Sequence, residues 1–347
     1  MTQIRYKSSV ERNNYSTSPF VACVIGGIFV PEITDDVIRC EQLTKTFPGN
    51  VTAVDRLDLS IKCGEIFGLL GPNGAGKTTT IGMLTTLVTP TGGKANVAGY
   101  DVQTQPTMVK QLIGAVSQSN NLDRALTVRE NLYYHGRFFG LNAKESRLAA
   151  DRLLEAFRLK EKANADVSEI SGGMVRRLQI ARALVHNPSV LFLDEPTAGL
   201  DPQSRIALWE ILGGMHEQGQ TILVTTHNME EADAVCERLA IMDHGRILAM
   251  DSPRKLKDTI GADTIVTISS HGNLDVLEYL LKNHVEGAVN TRRVDGNIQL
   301  QVKGREGVLP RVVNVAEKEG FDITDLSITE PTLETVFVNL TGKELRE

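Results

Sequence analysis

The sequence predicts an α/β fold: a core of buried parallel strands alternating with helices, an antiparallel β subdomain, a helical insertion, and then a small α+β domain. Three observations carry this. The runs "EIFGLL" (65–70), "SVLFLDEP" (189–196) and "TILVTTH" (221–227) are nearly continuously apolar, as parallel strands buried on both faces must be. Between about 125 and 188 the apolar residues fall at helical spacing instead. From 264 onward the patterns come in the order β-α-β-β-α-β, the ferredoxin-like arrangement.

At 347 residues, 41% hydrophobic and 23% charged, the chain has room for one large or two ordinary domains with real cores. Its formal charge of −6 supplies no overall field for nucleic acid or an anionic bilayer, so any polyanion must be met by a local site. Cys23, Cys40, Cys63 and Cys236 are scattered without a C-x-x-C pair, which points to reduced thiols rather than a zinc or iron–sulfur site. The longest apolar run, "PFVACVIGGIFVP" at 19–31, falls short of the roughly 18 residues a bilayer span needs. Arg5, Lys7 and Arg12 ahead of it imitate a secretory signal, a reading set against the loose, Ser- and Asn-containing character of the stretch. Residues 1–36 therefore read as a flexible extension.

The elements follow in order. Period-2 patterning starts at "VIRCEQLTKTF" (37–47) and continues through "AVDRLDLSIKCGEIFGLLG" (53–71), broken at Asn50 and Gly64. "TVRENLYYHGRFFGL", "KESRLAADRLLEAFRL" and "MVRRLQIARALVHN" supply the helical insertion, about 120–188. A helix around "RIALWEILGGMHEQG" separates the two later buried strands, and the first domain spans 37–261. In the second, 262–347, we expect strands 264–269, 288–294, 297–303 and 322–329, helices 273–283 and 307–319, and a last helix in "TLETVFVNLTG". "VDGN" makes the hairpin turn between the middle strands.

The chemistry starts at "GPNGAGKTT" (71–79), which fits G-x-x-x-x-G-K-[ST] with Gly71, Gly76, Lys77 and Thr78 in the fixed places. It lies between an apolar strand and a helical segment, the context of a P-loop NTPase core. Glycines let the backbone N–H groups face phosphate oxygens, Lys77 reaches the terminal phosphates, and the Thr78 hydroxyl can ligate Mg²⁺. In "LFLDEP" the strand ends at Asp194, placed for the Mg²⁺ shell, and Glu195 follows, able to polarise a water. His227 ends the next strand at the sheet edge where ligands bind, and is read as a γ-phosphate contact. Gln118, in "AVSQSNNLD", is a strand-end polar residue for which a capping role is equally open on spacing alone. Ser171 with Gly172 and Gly173 reads as an N-cap before an amphipathic helix. Arg176 and Arg177 near that helix's start oppose its dipole, so the face is expected to meet an anion or acidic partner.

Taken together, "GPNGAGKTT", Gln118, "ISGGM", "LFLDEP", "AGLD" (198–201) and His227 resemble, in order and spacing, the ATP-binding subunit of ABC transporters over about 37–260. The resemblance implies an ATPase that uses ATP and Mg²⁺, with Gly71, Pro72, Asn73, Gly74, Ala75, Gly76, Lys77, Thr78 and Thr79 around the phosphates. Glu195, His227 and Lys77 would be its catalytic residues, and Thr78, Gln118 and Asp194 its metal residues. Phe47 would stack on adenine, Gln118 would couple to membrane subunits, and Asp201 would belong to the dimer-spanning loop. The "SGG" of Ser171–Gly173 would close on the phosphate held by a second copy. Met174 and Ala198-Gly199 depart from the commoner family residues without removing a catalytic group. "SGGMVRRL" and "TEPTLETVFVNLTGKELRE" resemble more narrowly the drug-resistance (daunorubicin-resistance type) and nodulation-factor export ATPases. That implies a homodimer, held peripherally at the cytoplasmic face of the membrane by separate permease subunits, with no nucleic-acid partner. The alternative is a soluble ABC ATPase acting on nucleic acid or ribosomes. It lacks support here, as neither long coiled coils nor a second cassette is present.

Overall fold

The structure, a computed structural model, describes residues 36–342 except 120 and 295, so all but the last residue of the expected N-terminal extension lies outside it. The hairpin of β1 (Asp36–Phe47) and β2 (Val51–Lys62) comes first, then β3 (Ile66–Leu70) and α1 (Lys77–Leu84). The strands β4 (Gly92–Val97) and β5 (Tyr100–Asp101) return to the hairpin and complete an antiparallel sheet of order β2-β1-β4-β5. Next come α2 (Pro106–Leu112) and β6 (Ile113–Val116), then the helical insertion α3 (Val128–Phe138), α4 (Ala143–Ala156) and α5 (Gly172–Ala183). The chain continues through β7 (Val190–Asp194), α6 (Pro202–His216), β8 (Thr221–Thr226), α7 (Met229–Val235), β9 (Arg238–Asp243), β10 (Arg246–Asp251) and α8 (Pro253–Asp258).

The central six-stranded sheet has the order β10-β9-β3-β8-β7-β6, parallel throughout except for β10. Alternate residues of its strands feed two cores. Phe67, Leu69, Phe192 and Leu223 pack towards the antiparallel sheet with Ile38, Leu43 and Val54. Ile66, Leu70, Leu191, Leu193, Ile222 and Val224 pack on the other face with Leu178 and Ile180 of α5. Burial on both faces explains why these strands read as continuous apolar runs.

Two helices of the insertion are set by capping boxes: Thr127 with Glu130 before α3, and Asn142 with Glu145 before α4. The C-terminal unit runs β11 (Thr264–Ser270), α9 (Leu274–His284), β12 (Ala288–Val294), β13 (Asn297–Val302), α10 (Val308–Lys318) and β14 (Ile323–Thr329). Its antiparallel sheet has the order β12-β13-β11-β14 over a third core of Val266, Ile268, Leu277, Leu281, Leu300 and Val312. The last helix, α11 (Leu333–Thr341), does not join that core. Its Leu333, Val336 and Phe337 are buried in the cluster that holds Leu256 and Ile260 of the first domain.

Candidate active site

The loop from Gly71 to Gly76 carries the chain from the C-terminal end of β3 into α1. Gly76 caps the helix at φ +103° and offers no side-chain acceptor to the first-turn N–H groups, which leaves them available to an anion. Only glycine fits there, because a Cβ would sit 2.4 Å from the Ala53 carbonyl oxygen of β2. Pro72 and Ala75 are buried, Asn73 and Gly74 form the exposed tip, and Thr79 is half-buried. The buried Lys77 ammonium donates to the carbonyls of Gly71 (2.7 Å) and Pro72 (3.0 Å), and lies 3.9 Å from Glu195 Oε1. Burial lowers its pKa from the ordinary lysine value, while the negative charges of Glu195 and Asp194 oppose the shift.

Asp194 ends β7 almost fully buried, and two hydroxyls converge on its Oδ1: Thr78 at 3.3 Å and Thr225 at 2.5 Å. A hydroxyl and a carboxylate side by side are hard oxygen donors of the kind that hold Mg²⁺ next to substrate phosphates. Glu195 follows in the left-handed region, φ +45°, a conformation that costs a non-glycine residue of order 1–3 kcal/mol. The fold holds it from both sides. Its N–H donates to Thr225 Oγ1 at 3.0 Å, and its carbonyl accepts from Arg176 at 3.1 Å. His227, just past β8, brings Nδ1 to 3.3 Å from Glu195 Oε1, with its ring half exposed. Lys77, Thr78, Asp194, Glu195 and His227 thus converge on one point at the carboxyl edge of the sheet.

Among the described residues Arg176 and Arg177 form no ion pair and donate to carbonyls, where the sequence leads us to expect an anion or acidic partner. Arg176 is buried and donates to the carbonyls of Ser117 (2.8 Å), Asp194 (2.9 Å), Glu195 (3.1 Å) and Pro196 (2.8 Å), and to Gln179 Oε1 (3.1 Å). Burial lowers its pKa, and the Asp194 charge opposes this. Arg177 turns back on the insertion and donates to the Phe157 carbonyl at 3.0 Å. Near the helix start, an unfavourable dipole is outweighed by these charge-assisted bonds. Arg176→Met strands several buried carbonyls. We expect a net loss of about 3 kcal/mol, or a fall of roughly 6–12 °C in the thermal unfolding midpoint. A midpoint within about 2 °C of wild type would show that Arg176 does not hold the strand end.

The remaining sequence candidates lie elsewhere. Ser171 Oγ accepts from the Met174 N–H at 3.3 Å and so caps its own helix. Among the described residues no hydrogen bond or ion pair ties Ser171, Gly172 or Gly173 to the phosphate loop. Gly172 is open, whereas a Cβ on Gly173 would come 2.5 Å from Ser204 Oγ. Asp201 caps α6 through the Ser204 N–H at 3.0 Å, and hydrogen bonding from the Ser204 hydroxyl, then from that N–H, lowers its pKa. Phe47 stands at the hairpin end of β1, 38% exposed, and Gln118 is exposed on the loop after β6. Thr225 and Arg176 are contributors that the sequence reading missed as site residues. The one available signal for Thr225 was a hydroxyl at the carboxyl end of an apolar run, shared with Thr226 beside it.

The sheet, the phosphate loop and the paired carboxylates define a nucleotide-hydrolysing ATPase. Residues 54–198 match the ABC transporter family model. A daunorubicin resistance ATP-binding protein of Streptomyces coeruleorubidus is 39% identical over 88% of this chain and 95% of its own length. A linearmycin resistance ATP-binding protein of Bacillus subtilis is 36% identical over 90% of this chain and 100% of its own. A Nod factor export ATP-binding protein I of a Rhizobium is 39% identical over 86% and 95%. Among solved structures, an ATP-binding cassette determined as a dimer with ADP and phosphate superposes at a TM-score of 0.57. It is 28% identical and covers 62% of this chain and 98% of its own. The cbiO1 subunit of an ABC transporter complex of Clostridium perfringens gives 0.61 at 26% identity, covering 66% and 94%. The chain belongs to the ATP-binding subunits of ABC transporters, and its activity is ATP hydrolysis coupled to transport.

Proposed function

We propose that this chain is the ATP-driven subunit of an exporter, working as a homodimer in which each ATP is held between the phosphate loop of one copy and Ser171–Gly173 of the other. The observation that carries this is the division of the candidate residues. Lys77, Thr78, Asp194, Glu195 and His227 converge, while Ser171 caps its own helix without contact to them. On this reading the loop N–H groups and Lys77 bind the triphosphate, and Phe47 stacks on adenine. Thr78, Asp194 and Gln118 would hold Mg²⁺, which supplies charge neutralisation at the β- and γ-phosphates. Glu195 takes a proton from the attacking water, and His227 orients that carboxylate and contacts the γ-phosphate. Asp201 fixes the start of α6 beside Gly173 at the dimer face.

Export through separate permease subunits is supported by the names of the relatives, and no helix among the described residues is long and apolar enough to cross a membrane. Such a subunit sits peripherally at the cytoplasmic face. A cavity of about 670 Å³ supports a docking place: it is lined by Val116, Asn121, Phe138 and Phe139, on both sides of the Gln118 loop, with Leu87 and Phe138 exposed at its rim. Purified with its permease in liposomes, the chain should hydrolyse ATP at least about twice as fast with a transported compound, daunorubicin being the first to try. Stimulation by DNA or ribosomes instead would favour the soluble alternative.

The proposed domains are 37–261 and 262–347. The strand order 4-1-3-2 of the second supports a ferredoxin-like reading. Truncation after residue 261 should leave ATP affinity unchanged, because every nucleotide-facing residue lies upstream. It should also lower the unfolding midpoint, since α11 no longer covers Leu256 and Ile260. Calorimetric titration with ATP reads the first, and a folded truncation that cannot bind ATP would refute the boundary.

A further inference from the structure

We infer that Lys45 is a positioning residue for the nucleobase, acting through the ring of Phe47. The inference rests on the proposed stacking of Phe47 on adenine. Lys45 and Phe47 are two residues apart on β1 and so project from the same face of the strand. The Lys45 ammonium lies over the Phe47 ring, 5.0 Å from its centroid. It is anchored there by donating to the Thr89 carbonyl at 2.7 Å, on the segment that leaves α1. Its stem is half-buried, whereas Phe47 keeps 38% of its surface open. A cation on one face of a phenyl ring is held by the ring quadrupole, and it leaves the other face for a flat partner.

The hairpin is well placed for such a partner. Ala53 of β2 abuts Gly76, so the phosphate loop lies directly against this hairpin, and Phe47 pairs with Val51 at its end. Phe47 is therefore on the side from which a base would reach when its phosphates occupy the loop. The Thr46 N–H donates to Thr91 Oγ1 at 3.0 Å, and the Thr46 and Thr52 hydroxyls meet at 3.2 Å, which fixes the backbone between the lysine and the ring. What Lys45 adds is the orientation of the ring itself, because an exposed phenylalanine otherwise samples several rotamers.

Calorimetric titration of the full chain with ATP and with inorganic tripolyphosphate tests this, in wild type, Lys45→Met, Lys45→Arg, Phe47→Ala and the Met/Ala double variant. Lys45→Met should weaken ATP about three- to fivefold. Tripolyphosphate, which has no base, should bind as before. Lys45→Arg should restore ATP affinity, and Lys45→Met should add nothing in the Phe47→Ala background. An equal loss for tripolyphosphate would overturn the inference, since Lys45 would then act on the phosphates or on folding. An equal loss in the Phe47→Ala background would overturn it too, since Lys45 would act independently of the ring. Unchanged ATP binding in Phe47→Ala alone would refute the stacking of Phe47, and with it this role for Lys45.

Discussion

Glu195→Gln should bind ATP as wild type does and hydrolyse it at less than about one hundredth of the rate. The amide has the shape of the carboxylate but cannot accept a proton from water. The backbone conformation of residue 195 is held by main-chain contacts to Thr225 and Arg176, which do not involve the side chain, so the substitution leaves the strand end in place. Lys77 loses the opposing charge 3.9 Å away but keeps its bonds to Gly71 and Pro72, so the phosphate cradle survives. With hydrolysis blocked and binding intact, ATP-bound dimers should accumulate and elute early in size-exclusion chromatography. Steady-state turnover near wild type by the purified variant would remove Glu195 from its proposed role.

How far this site could be read before folding depends on where the information sits. The phosphate loop was legible because its chemistry is local: glycines, lysine and threonine at fixed spacing between a strand and a helix. The strands β3, β7 and β8 were legible because burial on both faces leaves an unbroken apolar run. The C-terminal β-α-β-β-α-β order was legible because each period changes at a turn residue. The strand β4, "GGKANV", was not, since only two of its six residues are buried and two are glycines. The parallel strand β6 is four residues long, too short for a period to show. The edge strand β10 escaped because it is half-exposed along its length, whereas β9 inside it, with Leu239–Met242 buried, carried an apolar run that the reading passed over.

Arg176 shows the deeper limit. Its neighbours in sequence identify a cation at the wrong end of a dipole, and nothing local says that its acceptors are carbonyls far along the chain. Thr225 is similar. Its hydroxyl accepts from the Glu195 N–H and donates to Asp194, a link made only when β7 and β8 lie side by side. Residues placed to meet a ligand show in the pattern, whereas residues that hold those residues in place are found from packing.

The most direct test of the shared site uses two disabled chains, Lys77→Ala and Ser171→Arg. Each homodimer should be inactive, the first for want of a working phosphate loop at both sites and the second because a long cationic side chain blocks both Ser171 positions. Mixed dimers differ. If the sites are shared, a mixed dimer has one doubly broken site and one intact site, built from the phosphate loop of the Ser171→Arg chain and the Ser171–Gly173 of the Lys77→Ala chain. Random reassembly makes about half the dimers mixed, so hydrolysis should return to roughly a quarter of wild type when one good site turns over alone. The assay is ATPase activity of the reassembled mixture, with subunit exchange verified by differential tags. The control is a wild-type chain paired with a chain carrying both substitutions: its mixed dimers have two half-broken sites and, once isolated through both tags so that wild-type homodimers are removed, should be inactive. Among dimers purified through both tags, activity in the Lys77→Ala/Ser171→Arg pair and none in the control pair is the predicted result; no activity in the first pair despite verified exchange, or equal activity in both pairs, would contradict a site shared between two copies.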